Sequence, residues 1–499
     1  MEVFAKLTDK FYDIVVVGAG IVGAALAREL SAYDLKIAVI DRAADIPSGA
    51  SRANSAMIHA GYDDKPGTLK AALCARGNSL YRELAGPLDI TLQNRGSYVC
   101  GFDDRDLKHL EILLDQGRSN GVPGLEIIGG DELRSAEPNV SPGIKYALRA
   151  PTGCIVNNFE AVLAFMDNAQ QNGAELFLET ELKGLALSED GGEVAGAITS
   201  RGLFRTRCVV NAAGVDSDLV ARMAGDESFS ISPTRGEYYI FDKNYGRLVH
   251  SFFFPCPTEK GKGITVAPTA ENNLLVGPTS EVQESRTDTS TTRRGLDDVA
   301  EGARSLVPSI TPAMAITTFS GLRASADTGD FVIGPLDSPR GFVNVAGIKS
   351  PGFTSAPSIA RRVVEMMKDA LSDRLTFAPN VSFVPERRHI PRFESLPAEE
   401  KARLAAEDPR YAQIVCRCET VTEAQIVEAI RRGARTVAAV KIWTRAGAGR
   451  CQGGFCGPRV VAILARELGI PPEEVTRHGG HSRLLVGRTK DYWFKGAGR

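Results

Sequence analysis

A short apolar run, Ile14 to Val17, enters a glycine-rich turn, continues as a helical pattern from Ile21 to Leu30, and gives way to a second apolar run, Ile37 to Ile40, that stops at Asp41. Two apolar runs flanking a segment of 3.6-residue period predict a βαβ unit. The turn reads Gly18-x-Gly20-x-x-Gly23. Gly18 permits the tight turn, Gly20 lets the backbone approach a pyrophosphate, and Gly23 lets the helix sit close to the strand, so that free N–H groups at the helix N-terminus face the phosphates. Asp41 stands where a carboxylate takes the ribose hydroxyls. The motif alone is weak, but a preceding strand, a following helix and an acid at this spacing predict dinucleotide binding.

Beyond Asp41 the pattern changes repeatedly. Ser48 to Gly61 is a run of small and polar residues with one histidine, which predicts a loop lying against the cofactor and carrying His59 towards its reactive ring. A helical pattern spans Leu69 to Leu84. Alternation at Ser97 to Phe102 and a helical stretch at Asp104 to Gly117 predict a second domain inserted into the first. A helix follows from Asn158 to Gly173, then short strands from Ala174 to Val194. The apolar strand Cys208-Val-Val-Asn-Ala-Ala-Gly214 again brings backbone close to the cofactor. Residues 231–320 are strand-rich and predict a sheet over the active face. Ser320 to Ala324, Asp330 to Pro335 and Phe342 to Gly352, leading into a helix at Ser358 to Leu371, close the cofactor site from its far end. Prolines and alternating charges over residues 376–410 predict a linker with one short helix, and a compact unit begins at Tyr411.

Composition narrows the class. A chain of 499 residues is too long for one core and predicts two to four domains. With 43% hydrophobic and 24% charged residues and a formal net charge of −2, it has neither the basic excess of a nucleic-acid binder nor a polybasic membrane signal. The N-terminus, MEVFAKLTDKFYD, lacks the basic and apolar regions of a signal peptide, and no apolar run reaches the roughly 18 residues of a membrane span, so the reading is cytoplasmic. Of nine cysteines, Cys74, Cys100, Cys154, Cys208 and Cys256 are scattered, whereas Cys416, Cys418, Cys451 and Cys456 cluster. That distribution fits reduced thiols and a metal site better than a disulfide framework.

The glycine turn with Asp41, the ASRANSAMIHAG loop, VVNAAG, SGLRA and VAGIKSPG together resemble the FAD-dependent amino-acid oxidase and glycerol-3-phosphate dehydrogenase superfamily over the first 375 residues. NSAMIHAGYDDKPGTLKAALCARGN and PTRGEYYIFD are similar to L-2-hydroxyglutarate dehydrogenases; Lys349 and the C-terminal cysteines are similar to the catalytic subunit of anaerobic glycerol-3-phosphate dehydrogenase. The resemblance implies an α/β architecture. An FAD-binding Rossmann-like domain (about 1–88, 151–230 and 321–375) is interleaved with an α+β substrate domain (about 89–150 and 231–320). A linker (376–410), a small helical [2Fe–2S] domain (411–475) and a tail (476–499) follow. It implies FAD rather than NAD, contacted by Gly18, Gly20, Gly23, Asp41, Arg42, Ser51, Ala213, Gly214, Gly347 and Gly352.

The superfamily removes hydride from a carbon bearing a hydroxyl or amine. A base takes the hydroxyl proton, and cations hold the anionic tail of the substrate. His59 matches the loop histidine that glycerol-3-phosphate oxidases and dehydrogenases place beside the flavin, as base or substrate-positioning group; a purely structural hydrogen bond and a covalent flavin link are the alternatives. Arg323 matches the arginine that holds substrate carboxylate or phosphate, against a structural salt bridge. Lys349 aligns with a loop lysine of the glycerol-3-phosphate dehydrogenases and favours a phosphate, against an exposed lysine of no function. Arg52, Arg235 and Lys262 are weaker substrate-binding candidates, with solvated surface charge as the alternative. The run His59-Ala-Gly-Tyr62-Asp63 departs from many relatives in lacking an arginine after the loop glycines.

Cys416-x-Cys418, 32 intervening residues and Cys451-x-x-x-x-Cys456 resemble the bacterioferritin-associated ferredoxin-like domain, whose four thiolates hold a [2Fe–2S] cluster. Thr422 with Gln425 forms a capping box for a helix to about Arg432, and Gly457-Pro458 opens another through Leu468, so both cysteine pairs precede helix N-termini whose dipoles suit an anionic cluster. Zinc is the alternative, but Cys416-x-Cys418 is tighter than structural zinc spacing. The two histidines of HGGHSRLLVGRTKDYW show no ligand spacing. A one-electron cluster joined to a flavin enzyme implies reoxidation by a protein partner or a quinone-linked chain; the resemblance implies a second flavoprotein or electron-acceptor subunit, with at most peripheral membrane association through it. Three readings follow: oxidation of glycerol 3-phosphate to dihydroxyacetone phosphate, oxidation of an L-2-hydroxy acid such as L-2-hydroxyglutarate, or an electron-relay subunit without a substrate of its own.

Overall fold

The computed structural model describes residues 10–257, 263–487 and 489. The N-terminal stretch read for a targeting signal falls largely outside them, as do Lys262 and most of the segment after Gly487. The chain forms two compact units, one comprising the chain through Arg42 and Pro47–Arg387, the other Ala43–Ile46 and the chain from Arg388.

The first unit is built on a parallel sheet whose strands read as nearly unbroken apolar runs, as sheets covered on both faces must. β1 (Phe11–Val17) leads through α1 (Ile21–Ser31) to β2 (Ile37–Ile40), whose four residues are all buried. α2 (Leu69–Ala85) and α3 (Asn158–Gln171) follow, then β3 (Glu175–Phe177) and β4 (Gly202–Asn211). β5 (Ile231–Phe241), β6 (Ala315–Ala326), β7 (Phe342–Ala346) and α4 (Gly352–Ala370) complete the frame. The parallel order is β3-β2-β1-β4-β7, the doubly wound order of a Rossmann-type fold. The N-terminal half of β4 leaves this array to pair antiparallel with Val194–Thr199.

Helices cover the sheet, with α4 packed against α1 and α2, and α1 against α3. The approach of α2 to α4 is set by Gly77, where a Cβ would lie 2.1 Å from the Thr354 carbonyl oxygen. α4 begins six residues before the expected Ser358 and contains Pro357. Proline has no N–H for the carbonyl four residues earlier. That carbonyl, Phe353 O, instead accepts from the Tyr81 hydroxyl of α2 at 3.1 Å.

A second sheet spans the 89–150 and 231–326 segments. β5 pairs antiparallel with β6 from Ile231↔Ala326 to Phe241↔Ala315. On its other side the sheet continues through Leu274–Gly277, Thr265–Pro268 and Phe252–Pro255 to Ser97–Gly101, Tyr146–Ala150 and Glu126–Gly129. The helix Arg293–Leu306 lays Val299, Ala300, Ala303 and Leu306 into the core beneath it. The buried Glu237 carboxylate accepts the Thr292 N–H at 2.7 Å at this helix's start, where the helix dipole favours an anion.

The first part of the 376–410 stretch, through Arg387, is tied to the helices of the first unit by hydrogen bonds. Asn380 Nδ2 donates to Ser31 O at the end of α1, and Asn168 Nδ2 of α3 donates to Val384 O. Arg387 donates through both Nε and Nη2 to Asp167 Oδ2. From Arg388 the chain belongs to the second unit and includes the helix Ala398–Glu407.

Beyond that helix, the described residues of the second unit form a short antiparallel pair, Ile414–Cys416 with Val421–Thr422, and the helices α5 (Glu423–Arg431), α6 (Val437–Thr444) and α7 (Gly457–Leu468). Thr422 and Gln425 form the full capping box. Thr436 caps α6 and also donates to Asp45 of the 43–46 segment. Among the described residues, no helix is long and apolar enough to cross a membrane.

Candidate functional site

The glycine turn shows why its residues are glycines. Gly18 has φ +104°, and a Cβ there would lie 2.4 Å from Ala212 O. A Cβ on Gly23 would lie 1.9 Å from Gly18 O, and one on Gly20 2.9 Å from Ser51 Oγ. The turn is thus closed between the end of β4 and the loop after β2. Ala19 N–H donates to Asp41 Oδ2 at 2.8 Å, and Ile21 N–H to Ser51 Oγ at 2.9 Å. Arg42 pairs with Asp216 at 2.6 Å, tying the end of β2 to the turn after Ala213 and Gly214. Gly214 has φ +61° and open space where a side chain would stand. α1 has no acid in its first turn and no side-chain cap from Gly20, so its own sequence leaves the positive end uncompensated. This donor set and the room left by the glycines fit the pyrophosphate and ribose of FAD.

The other end of the nucleotide fold is equally tight. Gly347 has φ +67°, and a Cβ there would lie 2.8 Å from Ala326 Cβ; one on Gly352 would lie 2.4 Å from Ile348 Cγ2. The Asn211 amide at the end of β4 donates to Ser217 O and to Asn344 Oδ1 of β7, and Asn344 donates to Asp226. These buried asparagines, one in VVNAAG and one in FVNVAG, hold the two strand ends together.

The segment carrying His59 is less irregular than expected. It forms a helical turn, Gly49–Arg52, and a strand, Met57–Ile58, because Met57 and Ile58 pair with Ile155 and Cys154. His59 is fixed through its backbone: its N–H donates to Thr354 Oγ1 at 2.9 Å, and its carbonyl accepts from Asn78 Nδ2 at 2.9 Å. Its ring lies 6.1 Å from that of Phe254, and both line a recess with Tyr62, Asp63, Pro255 and Pro257. Thr354 sits two residues beyond Gly352, so the histidine loop and the VAGIKSPG loop meet at the start of α4. Asn78 was not singled out from the sequence; its signal is an asparagine on a helix face otherwise apolar, and it is buried.

Arg323 lies on β6 with its guanidinium among carbonyls. Nη2 donates to Thr279 O at 2.5 Å and Arg235 O at 3.4 Å, and Nε to Thr234 O at 3.4 Å. Burial pushes its pKa below the ordinary arginine value. Among the described residues, no carboxylate pairs with it, which leaves a desolvated cation for an anion to neutralise. Gly321, on the same face by the two-residue period, abuts Ala53 of the loop that carries Ser51 and His59: a Cβ there would lie 2.5 Å from Ala53 O.

Arg235, a weaker substrate-binding candidate, sits among carboxylates. It is buried and already surrounded by Glu281 at 2.6 Å, Asp288 at 3.2 Å and Glu237 at 3.4 Å, so its charge is spent inside the sheet. Arg52 closes the short helix, and its carbonyl accepts from Asn158. Lys349 stands half-buried in the turn after β7, its N–H donating to Gly347 O and its carbonyl accepting from Gly352 N–H. Lys262 lies outside the described residues.

In the second unit the four cysteines meet in two pairs that cross the sequence pairs. Cys418 and Cys451 sulfurs are 3.8 Å apart, and Cys456 hydrogen-bonds Cys416. That bond, with N–H groups of Gly447 and Glu419, holds the Cys416 thiol below its ordinary pKa. N–H groups of Phe455 and Gly453 do the same for Cys451. Gly449 makes room for the loop, since a Cβ there would lie 2.3 Å from Cys418 Cβ. Among the described residues, no set of three or more His, Cys, Asp or Glu side chains gathers about one metal ion. Two thiol pairs ringed by N–H donors fit a two-iron cluster, which takes two thiolates per iron and is tuned by hydrogen bonds to sulfur.

A dinucleotide cradle in one unit and a four-thiolate site in the other define a flavin-dependent oxidoreductase carrying an iron–sulfur domain. Residues 13–366 match the family described as FAD dependent oxidoreductase, and residues 414–466 match the BFD-like [2Fe-2S] binding domain. The chain belongs to the FAD dependent oxidoreductase family, with FAD and a [2Fe–2S] cluster as its cofactors. It is 44% identical over 481 residues to a glycerol 3-phosphate dehydrogenase of Caloramator mitchellensis, covering 96% of this chain and 99% of that protein. Human mitochondrial L-2-hydroxyglutarate dehydrogenase is 30% identical over 281 residues, 54% of this chain and 60% of that one. The structure of L-alpha-glycerophosphate oxidase from Mycoplasma pneumoniae with FAD bound superposes with a TM-score of 0.71 at 27% identity, covering 76% of this chain and 98% of that chain.

Proposed function

We propose that the protein oxidises glycerol 3-phosphate to dihydroxyacetone phosphate and passes the electrons out through its iron–sulfur unit to an acceptor protein. The observation that carries this reading is that the similarity to a glycerol 3-phosphate dehydrogenase extends over 96% of the chain, cysteine unit included. The L-2-hydroxyglutarate dehydrogenase similarity spans only 54%. Bound FAD supplies the hydride acceptor, and the bound cluster a one-electron outlet. Arg323 holds the phosphate, because a guanidinium desolvated among carbonyls gains most from a multiply charged anion that it can bind through two N–H groups. Lys349 adds a second cation from the loop before α4. His59, fixed at its backbone N–H and carbonyl, takes the C2 hydroxyl proton as the C2 hydride leaves, so that an alcohol becomes a ketone with its atoms and electrons balanced. A relay subunit would have no use for a half-buried arginine on the substrate sheet that meets carbonyls and, among the described residues, no carboxylate.

The test is to mix the oxidised protein, without oxygen, separately with glycerol 3-phosphate, L-2-hydroxyglutarate and several amino acids while following flavin absorption. Rapid bleaching by glycerol 3-phosphate alone is the expected result. Bleaching by the hydroxy acid instead, or by none of them, contradicts the assignment.

A further inference from the structure

The second unit carries a surface that holding a cluster does not require. Phe455, between the ligands Cys451 and Cys456, is 47% exposed, a large apolar ring left in water. Two guanidinia lie over it: Arg417, between Cys416 and Cys418, is 4.7 Å from the ring centroid, and Arg459, in the first turn of α7, is 5.5 Å away. Both arginines are exposed, and among the described residues neither pairs with a carboxylate. Cys418 and Cys451 are exposed beside them, whereas Cys416 and Cys456 are buried, so this face is the side from which the cluster can be approached.

The charge here is local. From Ile414 to Val460 the chain has eight arginines and lysines against three glutamates, while the whole chain carries a net charge of −2. All three glutamates are already occupied: Glu419 with Arg445 at 2.8 Å, Glu423 with Arg466 at 2.7 Å, and Glu428 with Arg432 at 2.9 Å. What remains is an exposed aromatic flanked by uncompensated guanidinia at a redox centre. Aromatic and arginine side chains are the residues enriched at protein interfaces and their hot spots. A positive rim steers and orients a negatively charged partner.

We propose that the Arg417–Phe455–Arg459 face is the docking surface for an electron-carrier protein whose own redox centre is rimmed by acidic residues. The inference rests on the reading that electrons leave through the cluster, and it names the surface and the partner chemistry. Phe455 excludes water at the centre of the contact. Arg417 and Arg459 pair with carboxylates of the carrier and bring its redox centre over Cys418 and Cys451.

The test uses the intact holoprotein reduced by glycerol 3-phosphate without oxygen. It is mixed with cytochrome b5, an acidic haem protein, or cytochrome c, a basic one, at ionic strengths from about 0.01 to 0.5 M, a range that takes the screening length from about 30 Å to a few ångströms. Cytochrome b5 is expected to be reduced faster at low salt, at a rate falling at least tenfold across the range. An R417E/R459E double variant should lose at least tenfold in that low-salt rate and in direct binding of cytochrome b5 to the oxidised protein. The corresponding lysine pair should recover most of both. Substrate bleaching of the flavin and the spin-resonance signal of the reduced cluster should stay at wild-type values. Equal rates for the two carriers, a salt-independent rate or an unchanged variant overturns the proposal. So does a variant in which substrate-driven cluster reduction slows, because the face would then serve the chain's own flavin. Should substrate fail to reduce the cluster in the wild type, the functional reading fails, and the binding measurement on oxidised protein still decides the docking surface.

Discussion

A single arginine concentrates the question of what this site binds. Arg235 and Arg323 enter neighbouring positions of paired strands, yet three carboxylates surround Arg235, whereas Arg323 has only carbonyls. The acids that neutralise Arg235 come from positions 237, 281 and 288, two of them far away in sequence, so the contrast between the arginines is written in the tertiary pairing and not in either local motif. Arg323→Ala should lower kcat/KM for glycerol 3-phosphate by about 10²–10³-fold, the range for removing one partner of a buried charge pair. Arg323→Lys should recover only part, because an ammonium cannot reproduce the planar fork. Steady-state kinetics with a parallel melting curve checks this; an unchanged KM and kcat would assign the residue to structure alone. His59→Asn should lower kcat by about 10²–10⁴-fold while the protein purifies with its full flavin content. A variant that loses flavin but keeps turnover per flavin would mark the histidine as a cofactor ligand instead.

Elements show where local pattern suffices. The glycine turn and the Thr422–Gln425 box depend on residues within one turn of each other, and both were legible. α6 was not singled out: TVAAVKIWT is rich in β-branched residues, which disfavour a helix, and it is helical because Thr436 caps it and α5 and α7 pack against it. The early start of α4 was hidden by Pro357, whose missing N–H is answered by a hydroxyl on α2, a partner some 270 residues earlier. Beyond β4, the turn at Gly214–Asp216 and the start of β5 are locked by Asp218. Its carboxylate accepts from Arg286 at 2.7 and 2.8 Å and from Ile231 N–H at 3.1 Å. Burial pushes the Asp218 pKa up, but the Arg286 fork and the Ile231 N–H outweigh it and leave it below the usual carboxylate range. A depressed folded-state pKa contributes stability above the unfolded value, near 3.9, and that contribution is lost as pH falls through the folded value. Asp218→Asn should therefore cost about 3 kcal/mol at pH 7, by leaving Arg286 without its counter-charge. The gap to wild type should close as pH drops below about 4. Denaturant unfolding across pH measures it, and a gap that widens in acid would contradict the pairing.

The molecule as a whole joins a flavin-dependent oxidoreductase and a BFD-like [2Fe–2S] unit in one chain. The Mycoplasma oxidase is matched along 98% of its length by 76% of this chain, and the BFD-like match, residues 414–466, lies beyond the 13–366 span of the oxidoreductase family. Under the proposed function, the iron–sulfur unit serves the exit of electrons and leaves the holding of substrate to the first unit. Cys418→Ser removes one thiolate and should abolish the cluster signal and slow reduction of a protein acceptor at least tenfold, while substrate still bleaches the flavin at the wild-type rate; a slowed bleaching would show that the thiol supports the flavin site itself. The central claim is that electrons taken from glycerol 3-phosphate reach iron in the same chain. Low-temperature electron spin resonance of the oxygen-free protein, frozen after adding glycerol 3-phosphate, measures it directly. The account predicts a new signal of a reduced [2Fe–2S] cluster appearing with the loss of flavin absorption, and a bleached flavin beside a cluster that stays silent would contradict it.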